Sequence, residues 1–152
     1  DDAEVCVTIT LLDGLVLARS AFHHSMNYRS VVIYGRFAEV TDTDAKAAAF
    51  RSFVEHVSPG RAARVRLPSP AEIAGTRLLR IPLDEAVAKI RNWGPRDKER
   101  DADHPAWAGV LPLVTTRLAP VPDERSRALG QPLPPSVTAW LAAAPGPAPL
   151  SP

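Results

Sequence analysis

Cysteine is almost absent from this chain of 152 residues, which has one thiol, Cys6, and one methionine. A single cysteine forms neither an internal disulfide nor a zinc site of several thiolates, and it is compatible with a reducing cytoplasm. Long apolar runs are lacking too, since no stretch reaches the roughly 18 residues of a spanning helix. The acidic first residues do not resemble a signal peptide. These absences predict a cytoplasmic protein with no membrane partner.

An excess of charge of one sign is also missing. The 18 Lys and Arg residues against 17 Asp and Glu give a formal charge of +1, whereas nucleic-acid binding requires a strongly basic surface. We therefore expect no nucleic-acid partner. The length suits one sizeable domain, and a content of 45% hydrophobic and 23% charged residues is typical of a globular chain.

Familiar catalytic and metal-binding motifs are absent. No two of the four histidines have the helical i,i+4 spacing of metal ligands, and none has a second ligand at a zinc-site interval. Ser25 follows His24, but no G-x-S-x-G elbow surrounds this serine. Neither a P-loop nor a strand followed by G-x-G-x-x-G is present. We predict no metal site, and a phosphate would have to be bound by side chains and strand backbone.

The strand signals predict an antiparallel α+β fold. A first strand is expected over 5–12, a turn at Asp13 and Gly14, and a returning strand over 15–21. The remaining strands are predicted over residues 30–40, 76–81 and 84–93, and residues 107–113 form a short apolar segment.

Helix signals interrupt the strands. Capping residues at 41–44 precede a helix over 45–57, and a shorter helix begins at Ser69. The first helix is expected to bury one face, formed by Phe50, Phe53, Val54 and Val57. Twelve of the 16 prolines follow Gly94, so we expect residues 115–152 to be a largely irregular proline-rich tail with one short helix at 136–143.

Three segments carry a resemblance to a known family. They are TLLDGLVLARSAFHHSMNYRSVVIYG at 10–35, IPLDEAVAKIR at 81–91 and PAWAGVLPL at 105–113. Their order resembles the FMN-binding split-barrel flavoproteins, in the branch of pyridoxamine 5′-phosphate oxidase-like and nitroimidazole-resistance-type proteins. The resemblance spans roughly residues 4–114.

This resemblance implies a mainly β, α+β domain at 1–114: an antiparallel Greek-key FMN-binding split barrel with one or two flanking helices. It also implies a homodimer with FMN in a groove shared by the two subunits. Family members have an upstream portion that contains the first barrel strands. We therefore expect this chain to lack the N-terminal part.

Four residues are candidates for binding the FMN phosphate. A site without a glycine loop needs a cation with a hydroxyl nearby, because the phosphate carries a charge of about −1.5 to −2. Arg29 and Ser30 supply that combination at the start of a strand. Lys89 and Arg91 lie two positions apart on another strand and therefore share a face.

Further candidates surround the expected flavin ring. Asn27 and Tyr28 are expected to contact the ring or the ribityl chain, and Trp107 to cover the groove. His24 is the candidate catalytic proton donor to a reduced flavin or to a small-molecule substrate. Trp93 stands in Asn-Trp-Gly-Pro where the family has Thr-Gly-Pro-Pro, and we expect its bulk to affect substrate access.

The predicted function is that of an FMN-dependent oxidoreductase whose protein part binds and orients the cofactor. The substrate class stays open among nitroaromatic reduction, oxidation of a pyridoxamine-like amine and F420-type chemistry, since one fold hosts several activities. Two alternatives are a non-catalytic flavin-binding or dimerisation module and a truncated remnant without cofactor.

Overall fold

The computed structural model describes residues 3–143, and these fall into two compact units. The first unit comprises residues 3–37 and 81–115, and the second comprises 38–80 and 116–143. Part of the proline-rich tail predicted over 115–152, from residue 144 onward, lies outside the described residues.

The first unit contains a four-stranded antiparallel sheet. Its strands are β1 (Glu4–Leu17), β2 (Ser25–Arg36), β5 (Glu85–Arg91) and β6 (Gly109–Pro112). They are arranged in the order β5-β2-β1-β6. Two short 3₁₀ helices, Ala21–His23 and Glu99–Asp101, interrupt the connections. The antiparallel fold class predicted from the strand signals is therefore confirmed.

The turn predicted at Asp13 and Gly14 is wrong. Strand β1 runs straight through these residues, and the register shifts by one residue because Leu12 pairs with Tyr28 and Gly14 pairs with Asn27. A Cβ on Gly14 would lie 3.1 Å from the Leu111 carbonyl oxygen. The glycine thus permits close approach of β6 instead of a reversal of the chain, and the Asp-Gly pair marks a β-bulge.

The strand predicted over 30–40 is two strands. Strand β2 ends at Arg36, and residues 38–40 form β3 (Ala38–Val40), which pairs with β4 (Leu78–Arg80) in a separate two-stranded sheet of the second unit. The β-branched pattern identified the extended backbone, but it does not specify which strand each segment pairs with.

The second unit also contains the helices α1 (Thr43–Val57), α2 (Pro70–Gly75), α3 (Glu124–Ala128) and α4 (Pro135–Ala142). The predicted helices at 45–57, from Ser69 and at 136–143 are all present. Asp42 caps α1 by accepting a 2.7 Å hydrogen bond from the Ala45 amide. Ser69 and Glu72 form a capping box at α2.

The buried face predicted for α1 is wrong in part. Phe53 and Val57 are exposed, whereas Phe50 and Val54 line a cavity of about 340 Å³ in the second unit. Lys46 is the buried residue of this helix, and its Nζ donates a 2.8 Å hydrogen bond to the Thr76 carbonyl at the end of α2. The contact with the end of α2 therefore buries Lys46, which is not one of the residues that the apolar spacing predicted to be buried.

No helix among residues 3–143 is long and apolar enough to cross a membrane.

Candidate functional site

Four of the predicted site residues lie together where β2 pairs with β5. Tyr28 is opposite Arg91, and Ser30 is opposite Lys89. Residues that are paired across an antiparallel sheet, and those two positions apart along a strand, share one face. The pleat therefore brings Tyr28, Ser30, Lys89 and Arg91 onto the same face of the sheet.

Contacts between side chains fix this arrangement. The Lys89 ammonium lies 5.9 Å from the centroid of the Tyr28 ring, within the range of a cation–π interaction. Ser30 Oγ is 2.8 Å from Thr10 Oγ1 of β1. The polar face thus extends over three neighbouring strands.

Asn27 is the most deeply buried polar residue near this face, with 1% of its surface exposed. Its Oδ1 accepts a 2.5 Å hydrogen bond from Arg91, which also donates to the backbone carbonyls of Met26 and Trp93. The Asn27 Nδ2 has no hydrogen-bond partner among the described residues. Buried amide groups are rarely left without an acceptor, so this nitrogen is suited to bind a ligand.

Arg29 lies one position away from this set along β2, and its guanidinium is already paired. Its Nε and Nη2 each lie 2.9 Å from a carboxylate oxygen of Asp13, in a bidentate ion pair. The hydrogen bond from Arg29 is the main reason that the pKa of Asp13 is lowered. Asp13 was missed in the sequence because its Asp-Gly context indicated a turn.

Trp107 and His24 lie outside the β2–β5 pairing. Trp107 is 64% exposed, and a Cβ on Gly109 would lie 2.6 Å from its ring, so the indole covers the start of β6. His24 follows the first 3₁₀ helix, and its Nδ1 is 3.1 Å from the Ser20 carbonyl oxygen. A carbonyl only accepts, so Nδ1 bears the proton and the exposed Nε2 is available to a ligand.

Three residues in the segment after β5, Trp93, Arg96 and Asp97, make further contacts in the first unit. The guanidinium carbons of Arg91 and Arg96 lie 5.1 and 5.0 Å from the centroid of the Trp93 ring. Asp97 accepts the backbone N–H groups of Arg19 and Ser20 at 2.9 and 3.3 Å. In the sequence, Trp93 stood out only as added bulk, and no signal indicated its contacts with Arg91 and Arg96 or the contacts of Asp97.

The cavity in the second unit is a separate feature, and no predicted site residue lines it. Its wall contains Phe50, Val54 and Leu67, with Arg66 and Glu72 also lining it. These two charged groups form a bidentate ion pair at 2.8 Å. Within residues 3–143 no three His, Cys, Asp or Glu side chains are grouped so that they could hold a metal ion.

Comparison with known proteins identifies the family. The sequence profile of the pyridoxamine 5′-phosphate oxidase family matches residues 1–90. The chain belongs to this family. The resemblance inferred from the sequence is therefore confirmed at the level of the family, and the nitroimidazole-resistance branch stays a prediction. None of the curated proteins matches this pyridoxamine 5′-phosphate oxidase family member.

Two solved structures are similar to this family member. The flavocytochrome Anf3 from Azotobacter vinelandii has a TM-score of 0.85 and is 38% identical in sequence. The match covers 90% of this chain and 64% of the flavocytochrome chain. The FAD and heme binding protein from Mycobacterium smegmatis has a TM-score of 0.82 and is 37% identical in sequence. The match covers 91% of this chain and 67% of that protein's chain. The chain thus spans about two thirds of the length of these neighbours.

Proposed function

We propose that this chain binds a flavin and belongs to an FMN-dependent oxidoreductase. The observation that carries the proposal is a set of groups at the β2–β5 pairing: two cations without a carboxylate partner and a buried amide nitrogen without an acceptor among the described residues. Lys89 and Arg91 have no carboxylate partner among the described residues, and the Asn27 amide nitrogen is buried without an acceptor. Buried polar groups and clustered cations favour a ligand that supplies acceptors and negative charge.

The residues fit a phosphorylated flavin. Lys89 and Arg91 supply positive charge for the phosphate, and Ser30 supplies a hydroxyl between the strands. Arg29 stays a proposed phosphate ligand, but it lies on the opposite face of the sheet from Lys89 and Arg91, and Asp13 already neutralises its charge. We therefore assign it the smaller contribution. Asn27 Nδ2 would donate to a carbonyl or ring nitrogen of the flavin, and the Tyr28 ring presents a surface for stacking.

A bound flavin supplies the hydride and electron transfer chemistry, and the protein orients it and positions protons. In its protonated form, the His24 imidazole would donate a proton from Nε2, since its Nδ1 proton is engaged by the Ser20 carbonyl. Trp107 would cover the groove that holds the flavin and exclude water from it. The reaction class is a reduction or oxidation of a small molecule, such as a nitro compound or an amine.

A homodimer with the flavin in a groove shared by the two subunits stays a prediction, and the other face of the sheet is a candidate for part of the interface. Leu11 and Ile90 flank Arg29 there, and Ile9 lies two positions along β1 from Leu11. These three apolar side chains are between 53 and 59% exposed. A second copy of the chain would bury this face. Light scattering should give a dimer mass, and Ile90→Glu should shift it to that of a monomer if this face is the interface.

The test of flavin binding is direct. Purified protein is mixed with FMN and passed through gel filtration, and the visible flavin absorbance that co-elutes is measured. Retained flavin supports the proposal, and subsequent reduction by an electron donor in the presence of nitro or amine compounds tests catalysis. Flavin retained without turnover would favour the non-catalytic flavin-binding module. If the protein elutes without flavin absorbance after mixing with FMN at concentrations well above the dissociation constants typical of flavoproteins, flavin binding by this chain is contradicted.

Heme binding beside flavin binding is a second candidate function. One similar structure is named as a flavocytochrome and the other as an FAD and heme binding protein. The bond from His24 Nδ1 to Ser20 leaves the His24 Nε2 free, and this nitrogen would bind the iron of a heme. His104 differs because its Nδ1 accepts a hydrogen bond from the Ala106 amide, which leaves the proton on Nε2 in the neutral ring. Titration with hemin should give a heme absorbance shift that His24→Ala abolishes and His104→Ala retains. The same shift in His24→Ala would contradict this assignment.

A further inference from the structure

Asp97 joins the segment after β5 to the connection between β1 and β2. Its Oδ1 accepts hydrogen bonds from the backbone N–H groups of Arg19 and Ser20, at 2.9 and 3.3 Å, and its Oδ2 lies 3.4 Å from Nη1 of Arg19. These two residues are 78 and 77 positions away in the chain. Only 9% of the Asp97 side chain is exposed. The carboxylate therefore holds the backbone at 19–20 in one place through charge-assisted hydrogen bonds.

Ser20 carries this constraint to His24. Its carbonyl oxygen stands at the start of the 3₁₀ helix Ala21–His23 and accepts the His23 amide at 3.0 Å. The same oxygen lies 3.1 Å from Nδ1 of His24. Asp97 thus binds the N–H of the residue whose carbonyl binds the imidazole, and this bond sets the position of the carbonyl.

The Ser20 carbonyl decides which nitrogen of His24 bears the proton. A neutral imidazole has two tautomers, and the partner of one nitrogen selects between them. A carbonyl at Nδ1 keeps the proton there and leaves Nε2 unprotonated in the neutral ring. His104 shows the opposite choice, because its Nδ1 accepts the Ala106 amide at 3.2 Å. In both roles proposed for His24, proton donor and iron ligand, Nε2 is the atom that acts.

We propose that Asp97 is a positioning residue for His24, which it holds through the Ser20 backbone with Nε2 directed away from the protein and ready to act. Asp97 does not touch the imidazole. A histidine whose second nitrogen has a fixed partner keeps one tautomer and one ring orientation. This inference rests on the proposed function for the role of His24, whereas the tautomer is a property of the chain alone and is tested without a flavin.

Nitrogen-15 NMR of the full chain tests the tautomer. About two pH units above the ordinary histidine pKa of about 6.5, His24 Nδ1 should have the chemical shift of a protonated ring nitrogen and Nε2 that of an unprotonated one. The signals that disappear in His24→Gln identify the ring. Asp97→Ala should move both His24 shifts toward those of an unrestrained imidazole and leave those of His104 as they are. Asp84→Ala removes an exposed aspartate directly before β5 and, as the matched control, should alter neither ring.

Asp97→Asn separates the hydrogen bonds from the charge. The Asn oxygen still accepts the Arg19 and Ser20 N–H groups, so His24 should keep its tautomer. Circular dichroism establishes that each variant is folded. An unchanged His24 tautomer in folded Asp97→Ala, or an equal loss in Asp97→Asn, would overturn the proposal. A His24 ring protonated on Nε2 in the unmodified neutral chain would also overturn it, and that measurement needs no variant.

A kinetic measurement tests the link to the proposed function. FMN-loaded protein is photoreduced and mixed with 4-nitrobenzoate, and reoxidation of the flavin is followed. The rate constant at saturating 4-nitrobenzoate should fall about tenfold in Asp97→Ala, the scale of losing the partner that orients a histidine. The half-saturating concentration should hardly change, and Asp97→Asn should retain most of the rate.

The kinetic and NMR results separate the two proposals. A lost tautomer with an unchanged rate would overturn Asp97 as a positioning residue. If FMN does not bind, or the reduced flavin does not react, the proposed function fails in that respect. The NMR shifts then decide by themselves whether Asp97 fixes the His24 imidazole.

Discussion

Arg91 donates a short hydrogen bond to the Oδ1 of Asn27 and so fixes the amide with its Nδ2 still unpartnered. The two residues are 64 positions apart in the chain, and their hydrogen bond leaves the Asn27 Nδ2 as a buried donor without an acceptor among the described residues. This relationship is the strongest structural support for a ligand at the β2–β5 pairing.

The Asn27 donor predicts a specific variant effect. Asn27→Asp preserves the acceptor for Arg91 but replaces the Nδ2 donor with a carboxylate oxygen. We expect flavin affinity to fall by about tenfold or more, which corresponds to the loss of one buried hydrogen bond, while the fold is retained because Arg91 keeps its partner. Fluorescence titration with FMN and FAD, together with thermal melting, checks both parts. Unchanged affinity for both flavins would exclude Asn27 as a flavin contact.

Lys89 and Arg29 differ in whether a carboxylate pairs with them, and this difference predicts which substitution weakens flavin binding more. Lys89→Ala should weaken flavin binding by roughly tenfold or more, since it removes a charged contact that no carboxylate offsets. Arg29→Ala should have a smaller effect, because Asp13 already neutralises the guanidinium. Equilibrium titration with FMN at two salt concentrations measures the difference. A larger loss in Arg29→Ala than in Lys89→Ala would show that Arg29 leaves Asp13 to bind the phosphate.

The ion pair of Glu72 predicts a pH dependence of stability. Hydrogen bonds from Arg66 and from the Ser69 backbone lower the pKa of Glu72 from 4.5 to about 2. A folded-state pKa below the unfolded value stabilises the protein above the unfolded pKa, and this contribution disappears as the pH falls toward 2. The melting temperature of Glu72→Gln should therefore be lower than that of the unmodified chain at neutral pH, with a difference that vanishes near pH 2.

Thermal melts followed by circular dichroism over this pH range test the Glu72 effect. Glu99→Gln is the control, since Glu99 lies on an exposed 3₁₀ helix of the first unit. A constant difference between Glu72→Gln and the unmodified chain at every pH would contradict the electrostatic explanation.

The close approach of β6 to Gly14 predicts a packing effect. A Cβ at this position would lie 3.1 Å from the Leu111 carbonyl oxygen and 3.2 Å from Val110 Cγ1. Gly14→Ala should therefore destabilise the chain by about 1–3 kcal/mol, the usual range for an added carbon in a tight position. Gly94→Ala is the matched control, because a Cβ there meets no atom within 4 Å. Equal denaturant midpoints for the two variants would show that β6 moves away without cost.

The local sequence determined a large part of the secondary structure. Asp42 and Ser69 marked the starts of α1 and α2, because side chains at these positions accept the free amides of a first helical turn. The two-residue spacing along β5 predicted that Lys89 and Arg91 share a face, because the side-chain period of a strand is two. The order of the residues in 10–35 was sufficient to indicate the family.

Only the tertiary structure decided the interactions between distant segments. Asp13 and Gly14 carry the local signal of a turn, but pairing with β2 on one side and β6 on the other makes them a bulge inside a long strand. The hydrogen bond between Arg91 and Asn27 joins residues that are far apart in the chain, and so do the hydrogen bonds from the Arg19 and Ser20 amides to Asp97. Local patterns record backbone preference, whereas partners are selected by register and close packing, and these depend on the whole fold.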